Sequence, residues 1–165
     1  MSFTEGSYEK ALIALFENLG YQHQYGPNIE RDYYVPFYEE QLIESLTTIN
    51  YGKPRPAIDE AISKLKDIEI GSLPQRNELF MDYLQHGIEV SFFDGNVQCN
   101  DIIYLIDYND KNIKRNDFKV INQWTFVENS EKRADIILFV NGLPLVVIEL
   151  KSPSREETNV SEAYL

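Results

Sequence analysis

The stretch RADIILFVNGLPLVVIELKSPS, from Arg133 to Ser154, is the most apolar segment of a very polar chain, yet it carries Asp135, Glu149 and Lys151. A charge set among apolar residues is costly unless it is paired, bound to a metal or used in chemistry. Asn141-Gly142 in the middle is a strong hairpin signal, so ADIILFV and LPLVVIELK read as two antiparallel strands. With Gly142 as the centre, facing residues have numbers summing to 284: Asp135 faces Glu149, Ile137 faces Val147 and Phe139 faces Leu145. Alternation with period 2 puts Lys151 on the same face as Glu149. Directly opposed residues have Cβ atoms ~5 Å apart, so the two carboxylates are within reach of one ion. The other face (Ile136, Leu138, Val140, Val146, Ile148, Leu150) is wholly apolar. That pattern predicts rigid, central strands with the charges at their rim. A turn asymmetric about Gly142 would slip the register by one residue and break the opposition.

Two adjacent carboxylates repel each other, and a divalent cation removes that penalty. Carboxylate oxygens suit hard ions such as Mg²⁺. The plainer alternative is that Asp135 caps a strand while Glu149 is the anion of an ordinary cross-strand ion pair with Lys151 and Arg133. The hairpin geometry, the apolar flanks and Pro153 just after the second strand favour a site.

The chain's 165 residues and 43% hydrophobic content suit one domain with a real core, and 13% aromatic content argues against disorder. No apolar run reaches the ~18 residues of a membrane span. MSFTEGSYEK lacks the basic and apolar regions of a signal peptide, so a cytoplasmic protein with no membrane partner is expected. A single cysteine, Cys99, excludes an internal disulfide; with only His23 and His86 beside it, a Cys/His zinc site is not expected either. Cys99 reads as a small buried hydrophobe, and both histidines as structural. The net charge of −12 is the wrong sign for a nucleic-acid binder, unless the chain is a fragment whose basic surface lies elsewhere. NVSEAYL ends without a helix-stop signal, which favours a fragment.

Along the chain, SYEKALIALFENLGY predicts a helix with Tyr8, Leu12, Leu15 and Leu19 inward and Gly20 as its C-terminal cap. A second helix runs from about Tyr38 to Ile49, with Leu42, Ile43 and Leu46 inward; KPRP then forces an extended break. AIDEAISKLKDI and QRNELFMDYLQHG predict a third and a fourth helix. The texture then turns to β: IEVSFF and NDIIYLIDY around a DGN turn, FKVINQWTFVEN, and the two hairpin strands. Ser154-x-x-Glu157 is a capping box for a further helix. The fold class expected is α/β (α+β), a mixed but mostly antiparallel sheet flanked by helices, in one domain over residues 1–165.

Asp followed by Glu-x-Lys on the next strand resembles the PD-(D/E)xK nuclease core. The longer text INQWTFVENSEKRADIILFVNGLPLVVIELKSPS is similar to the N-terminal nuclease domain of the restriction (R) subunit of type I restriction–modification enzymes. The resemblance extends to LFENLGY, to LTTIN before YGKPRP, to QRNELFMDYLQHGIEV and to IIYLIDYNDKNIKRNDFKVINQW, with FVNGLPLVVIELK the most specific phrase. It implies a restriction-endonuclease-like core and Mg²⁺-dependent cleavage of double-stranded DNA, with Mn²⁺ as a substitute. Asp135, Glu149 and the Leu150 carbonyl would hold the metal, and Lys151 would orient or deprotonate the attacking water. It also implies methyltransferase and specificity subunits as partners, and an ATP-driven motor beyond these residues. No G-x-x-x-x-G-K-[ST] occurs here; the one Gly-Lys, Gly52-Lys53, is in the wrong setting. The chain departs from the pattern in having Ala134 where the name suggests proline, and in ending before a Gln/Tyr pair is complete, Tyr164 being the nearest tyrosine.

Glu9 on the first helix is a further acidic candidate near the metal, although a solvated helix face is the simpler reading. Lys111, Lys114, Arg115 and Lys119 form the only basic cluster, a candidate phosphate contact interrupted by Asp110 and Asp117. Arg155 is a candidate DNA contact that could equally pair with Glu156 or Glu157. Two other readings stand beside the nuclease: a non-catalytic assembly module of a restriction complex, and another PD-(D/E)xK DNA-processing enzyme.

Overall fold

A computed structural model describes residues 5–68 and 71–151. The chain divides into two compact units, residues 1–38 with 118–165, and residues 39–117. The expected mixed α/β class is present, with its strands in two sheets and its helices distributed between the units.

The first unit contains α1 (Glu5–Asn18), β1 (Gln22–Tyr25), β4 (Phe118–Val127), β5 (Glu131–Val140) and β6 (Leu143–Ile148). Its sheet has the order β1-β4-β5-β6, parallel between β1 and β4 and antiparallel elsewhere. The strand β1 has no sequence signal, since QHQY shows no apolar alternation; it is held by pairing Gln22–Tyr25 with Lys119–Asn122. Both faces of β4 and β5 are covered. On one side Ile13, Val120, Ile136 and Leu138 form a core with Leu12, Phe16, Tyr21, Ile148 and Leu150. On the other, Ile121, Trp124, Ala134, Ile137 and Phe139 pack with Ile29, Tyr38 and Phe126. The segment crossing this second face is pinned by Arg31, whose guanidinium lies 3.5 Å from the centre of the Trp124 ring and donates to the Thr125 carbonyl. Burial pushes the Arg31 guanidinium below its ordinary pKa, partly offset by Tyr33 and Asp32.

The packed face of α1 differs from the expected stripe. Leu12, Ile13 and Phe16 meet the sheet, while Tyr8, Leu15 and Leu19 are 39%, 51% and 66% exposed. Both sets fit helical spacing; contact with the sheet decides between them, and it turns Glu9 inward.

The second unit holds α2 (Glu39–Ile49), α3 (Arg55–Lys66), α4 (Leu73–His86) and the two-stranded ribbon β2 (Ile88–Asp94) and β3 (Val97–Ile103). Leu42 and Leu46 of α2 are fully buried, as expected. The break at KPRP is shorter than expected, because Pro56 lies just inside α3, where a missing N–H costs nothing. Ala57, Ile58, Ala61 and Leu65 of α3 are buried where that helix packs on β2. Buried Asn50 donates to the Tyr104 carbonyl and accepts from the Tyr104 N–H, at 2.9 and 2.8 Å, closing the loop after β3. Cys99 is only half-buried rather than a core residue. No helix among the described residues is long and apolar enough to cross a membrane.

Candidate active site

The hairpin that carries the charges forms, by a route the symmetric turn did not anticipate. Asn141 and Gly142 both take positive φ, 53° and 80°, as a tight two-residue turn requires. Val140 therefore faces Leu143, and Phe139 faces Pro144 rather than Leu145. Those numbers sum to 283, which would have carried Asp135 out of step with Glu149. A bulge then takes up one extra residue, and from Leu138↔Val146 to Ile136↔Ile148 the sum is 284. The register expected at the charged end is thus restored just before the strand ends.

Beyond Ile136↔Ile148 the two carboxyl groups meet. Asp135 and Glu149 share a side-chain hydrogen bond, and the Leu150 N–H donates to Asp135 Oδ2 at 2.7 Å. The Glu149 carboxyl is raised above its ordinary value, first by partial desolvation and then by the Asp135 charge and the hydrogen bond to it; Lys151 pulls the other way. Glu149 and Lys151 are exposed and Asp135 is half-buried. Within the described sheet β5 is central, whereas β6 is the last strand, with Val146 and Val147 45% and 57% exposed. The rigid mount is therefore β5, and the expectation of two central strands holds for that one alone.

This donor set fits a hard divalent cation. Two carboxylates with a neighbouring backbone carbonyl, opening to solvent, suit an ion such as Mg²⁺ that retains much of its water. Among the described residues no group of three or more His, Cys, Asp or Glu side chains is arranged to hold a metal, so water and backbone oxygens would complete the shell of an ion held by this pair. Repulsion between the two carboxylates, which adds to desolvation in raising Glu149, is a penalty that a cation would remove.

The other sequence candidates fare unequally. Glu9 is half-buried and accepts from Asn122 Nδ2 at 2.6 Å and Gln123 Nε2 at 2.7 Å, so it is not on a solvated helix face. His23 Nε2 lies 2.9 Å from Asn122 Oδ1, extending the same network. The basic cluster is dispersed. Lys111 and Lys114 are exposed, Arg115 donates to the Thr48 carbonyl at 2.6 Å and lies 3.6 Å from Asp107, and Lys119 is buried within β4. Lys53 of the lone Gly-Lys pair is bound to the Asp101 carboxylate at 2.5 and 2.6 Å, which holds that carboxylate below its ordinary range. Pro153, Arg155, Tyr164 and the Ser154–Glu157 capping box lie outside the described residues. Gln123 had no signal in the sequence: it sits in β4 with φ of 57°, a conformation that only the structure reveals.

A mixed α/β fold with a mostly antiparallel sheet and two carboxylates converging where adjacent strands end is consistent with a nuclease-like core. Residues 2–165 match the family described as the type I restriction enzyme R protein N terminus, and the chain belongs to that family. It is 29% identical over 170 residues to the type I restriction enzyme HindI endonuclease subunit of Haemophilus influenzae, covering 97% of this chain and 16% of that protein. It is 31% identical over 150 residues to the type I restriction enzyme EcoprrI endonuclease subunit of Escherichia coli, covering 90% of this chain and 44% of that protein. A putative type I restriction enzyme endonuclease subunit of Methanocaldococcus jannaschii, MjaIXP, is 27% identical over 160 residues, which are 91% of this chain and 15% of the relative. The chain thus spans less than half the length of each of these relatives.

Proposed function

We propose that this chain is the DNA-cleaving module of a type I restriction R subunit, hydrolysing phosphodiester bonds of foreign duplex DNA with Mg²⁺, or Mn²⁺ in its place. The observation that carries this reading is the meeting of Asp135 and Glu149, with the Leu150 N–H fixing one Asp135 oxygen. Asp135, Glu149 and the Leu150 carbonyl are the residues that would hold the ion. When bound, such an ion polarises the scissile phosphate and makes a coordinated water acidic. Lys151, whose charge acts on Glu149, orients the attacking water or takes its proton and offsets the negative charge that grows on the phosphate. The Leu150 N–H holds Asp135 in one rotamer, so the carboxylate does not have to be ordered when the substrate arrives.

The net charge of −12 suits a module that relies on other surfaces to grip DNA. In this reading the methyltransferase and specificity subunits select the DNA, and ATP serves a motor elsewhere in the R subunit. Calorimetry of Mg²⁺ and Mn²⁺ binding to the wild-type chain and to Asp135→Ala tests the site; binding left unchanged by the substitution would sink the assignment. Failure of the isolated chain to cut DNA would not, because cleavage in this reading is coupled to the motor. In the complete restriction enzyme, Lys151→Ala should fold normally and lose cleavage.

A further inference from the structure

We propose that Gln123 is a positioning residue for Asp135. Its left-handed backbone step, tied through its side-chain amide to Glu9, sets where Asp135 presents its carboxylate to Glu149. The inference rests on the reading of Asp135 and Glu149 as the metal-holding pair.

In a regular strand, alternate residues share a face. In β4, Ile121 and Trp124 lie in the same core although they are three residues apart, and Val120 lies in the other. In β5, Ala134 and Ile136 lie in different cores although they are two apart. Both strands therefore change phase at one level. The pairings on either side, Asn122↔Ile136 and Trp124↔Ala134, put Gln123 opposite Asp135 at that level. Without this paired change, Asp135 would point to the face of its neighbours in strict alternation and be enclosed in one core. With it, Asp135 emerges at the boundary between the two cores, where the end of β6 brings Glu149.

A glutamine at φ 57° is held there by its surroundings, because a residue with a Cβ avoids that region. The restraints are visible. Gln123 Nε2 and Asn122 Nδ2 each donate to one oxygen of Glu9, at 2.7 and 2.6 Å. The Asn122 amide is thereby oriented with its oxygen toward His23 Nε2, which must carry the proton in that 2.9 Å contact. On the backbone side, buried Gly26 closes against the step: a Cβ there would lie 2.8 Å from both the Asn122 and the Gln123 carbonyl oxygens. Three elements, α1, β1 and the turn after β1, thus converge on the Asn122–Gln123 step, and the Gln123 amide is spent on Glu9.

The test is Mn²⁺ affinity by calorimetry on the full chain, with melting temperature as the control for folding. Gln123→Gly accepts the backbone angle but loses the tie, and should bind Mn²⁺ about tenfold more weakly at a melting temperature close to wild type. Glu9→Gln sets an amide against the Gln123 amide and should weaken binding similarly. The swap Glu9→Gln with Gln123→Glu restores a donor and an acceptor to that pair and keeps an acceptor for Asn122, so affinity should return to near the wild-type value. Wild-type affinity in Gln123→Gly and Glu9→Gln, while Asp135→Ala abolishes binding, would overturn the positioning role. So would weak binding that the swap fails to restore, since Glu9 would then act by its charge. If Asp135→Ala itself leaves binding intact, the failure lies in the reading of the site.

Discussion

Two clusters of charge stood out in the sequence: Asp135, Glu149 and Lys151 on a hairpin, and Lys111, Lys114 and Arg115 in a polar loop with Lys119 just beyond it in the next strand. The first converges, with its two carboxyl groups hydrogen-bonded; the second disperses, with Arg115 taken up by Thr48 and Asp107 and Lys119 buried in a strand. Closeness in sequence is a poor guide in a loop, where each side chain finds a local carbonyl or carboxylate. Separation in sequence matters little in a hairpin, because pairing register converts it into contact.

The sharpest way to break this contrast is to break the register. Inserting one alanine between Val147 and Ile148, beyond the bulge, moves every later residue of β6 one step along β5, so that Ile148 no longer faces Ile136. Glu149 should then fall out of opposition to Asp135, and Ile148 should turn to the opposite face. The expected result is loss of Mn²⁺ binding and about 2–4 kcal/mol of stability by denaturant unfolding. Retained Mn²⁺ affinity would mean that the pairing register does not set the site.

A smaller effect concerns charge rather than register. Glu149 is raised above 4.5, so the folded chain holds this proton more tightly than the unfolded chain does. The ionised form consequently costs stability, and the cost grows as pH rises above that value. In metal-free buffer, Glu149→Gln should melt a few degrees above wild type at neutral pH. The gap should close as pH falls towards 4.5, and Mg²⁺ should close it at neutral pH by stabilising wild type alone. A gap independent of pH would point to packing instead of the cost of ionising Glu149.

The least effect is expected in the loop cluster. Lys111→Ala and Lys114→Ala, at exposed positions, should change stability by no more than about 0.5 kcal/mol. Arg115→Ala should cost about 1 kcal/mol, because the Thr48 carbonyl loses a charged donor. None of the three should alter Mn²⁺ affinity; a change in any of them would tie the loop to the site.

What could be read without coordinates follows the same division. The hairpin, α2 and the mixed α/β class rested on strong local signals: Asn141-Gly142, helical apolar spacing and alternating strands. The Asp135–Glu149 meeting was also legible, although the symmetric turn assumed for it is replaced by a tight turn and a compensating bulge. What could not be read depends on tertiary contact. The strand β1 owes its existence to pairing with β4 and not to the residues QHQY. The inward face of α1 is chosen by the sheet between two equally helical stripes, which is why Glu9 first looked solvated. The left-handed Gln123 has no compositional mark, since a glycine or asparagine is what such a position would ordinarily announce.

The central claim is that Asp135 and Glu149 act on one ion together, and a double-mutant cycle on Mn²⁺ affinity measures that directly. Asp135→Ala and Glu149→Ala should each reduce affinity strongly, and the double variant should be scarcely worse than either single one. Losses that simply add would show two carboxylates binding independently, and would contradict the account.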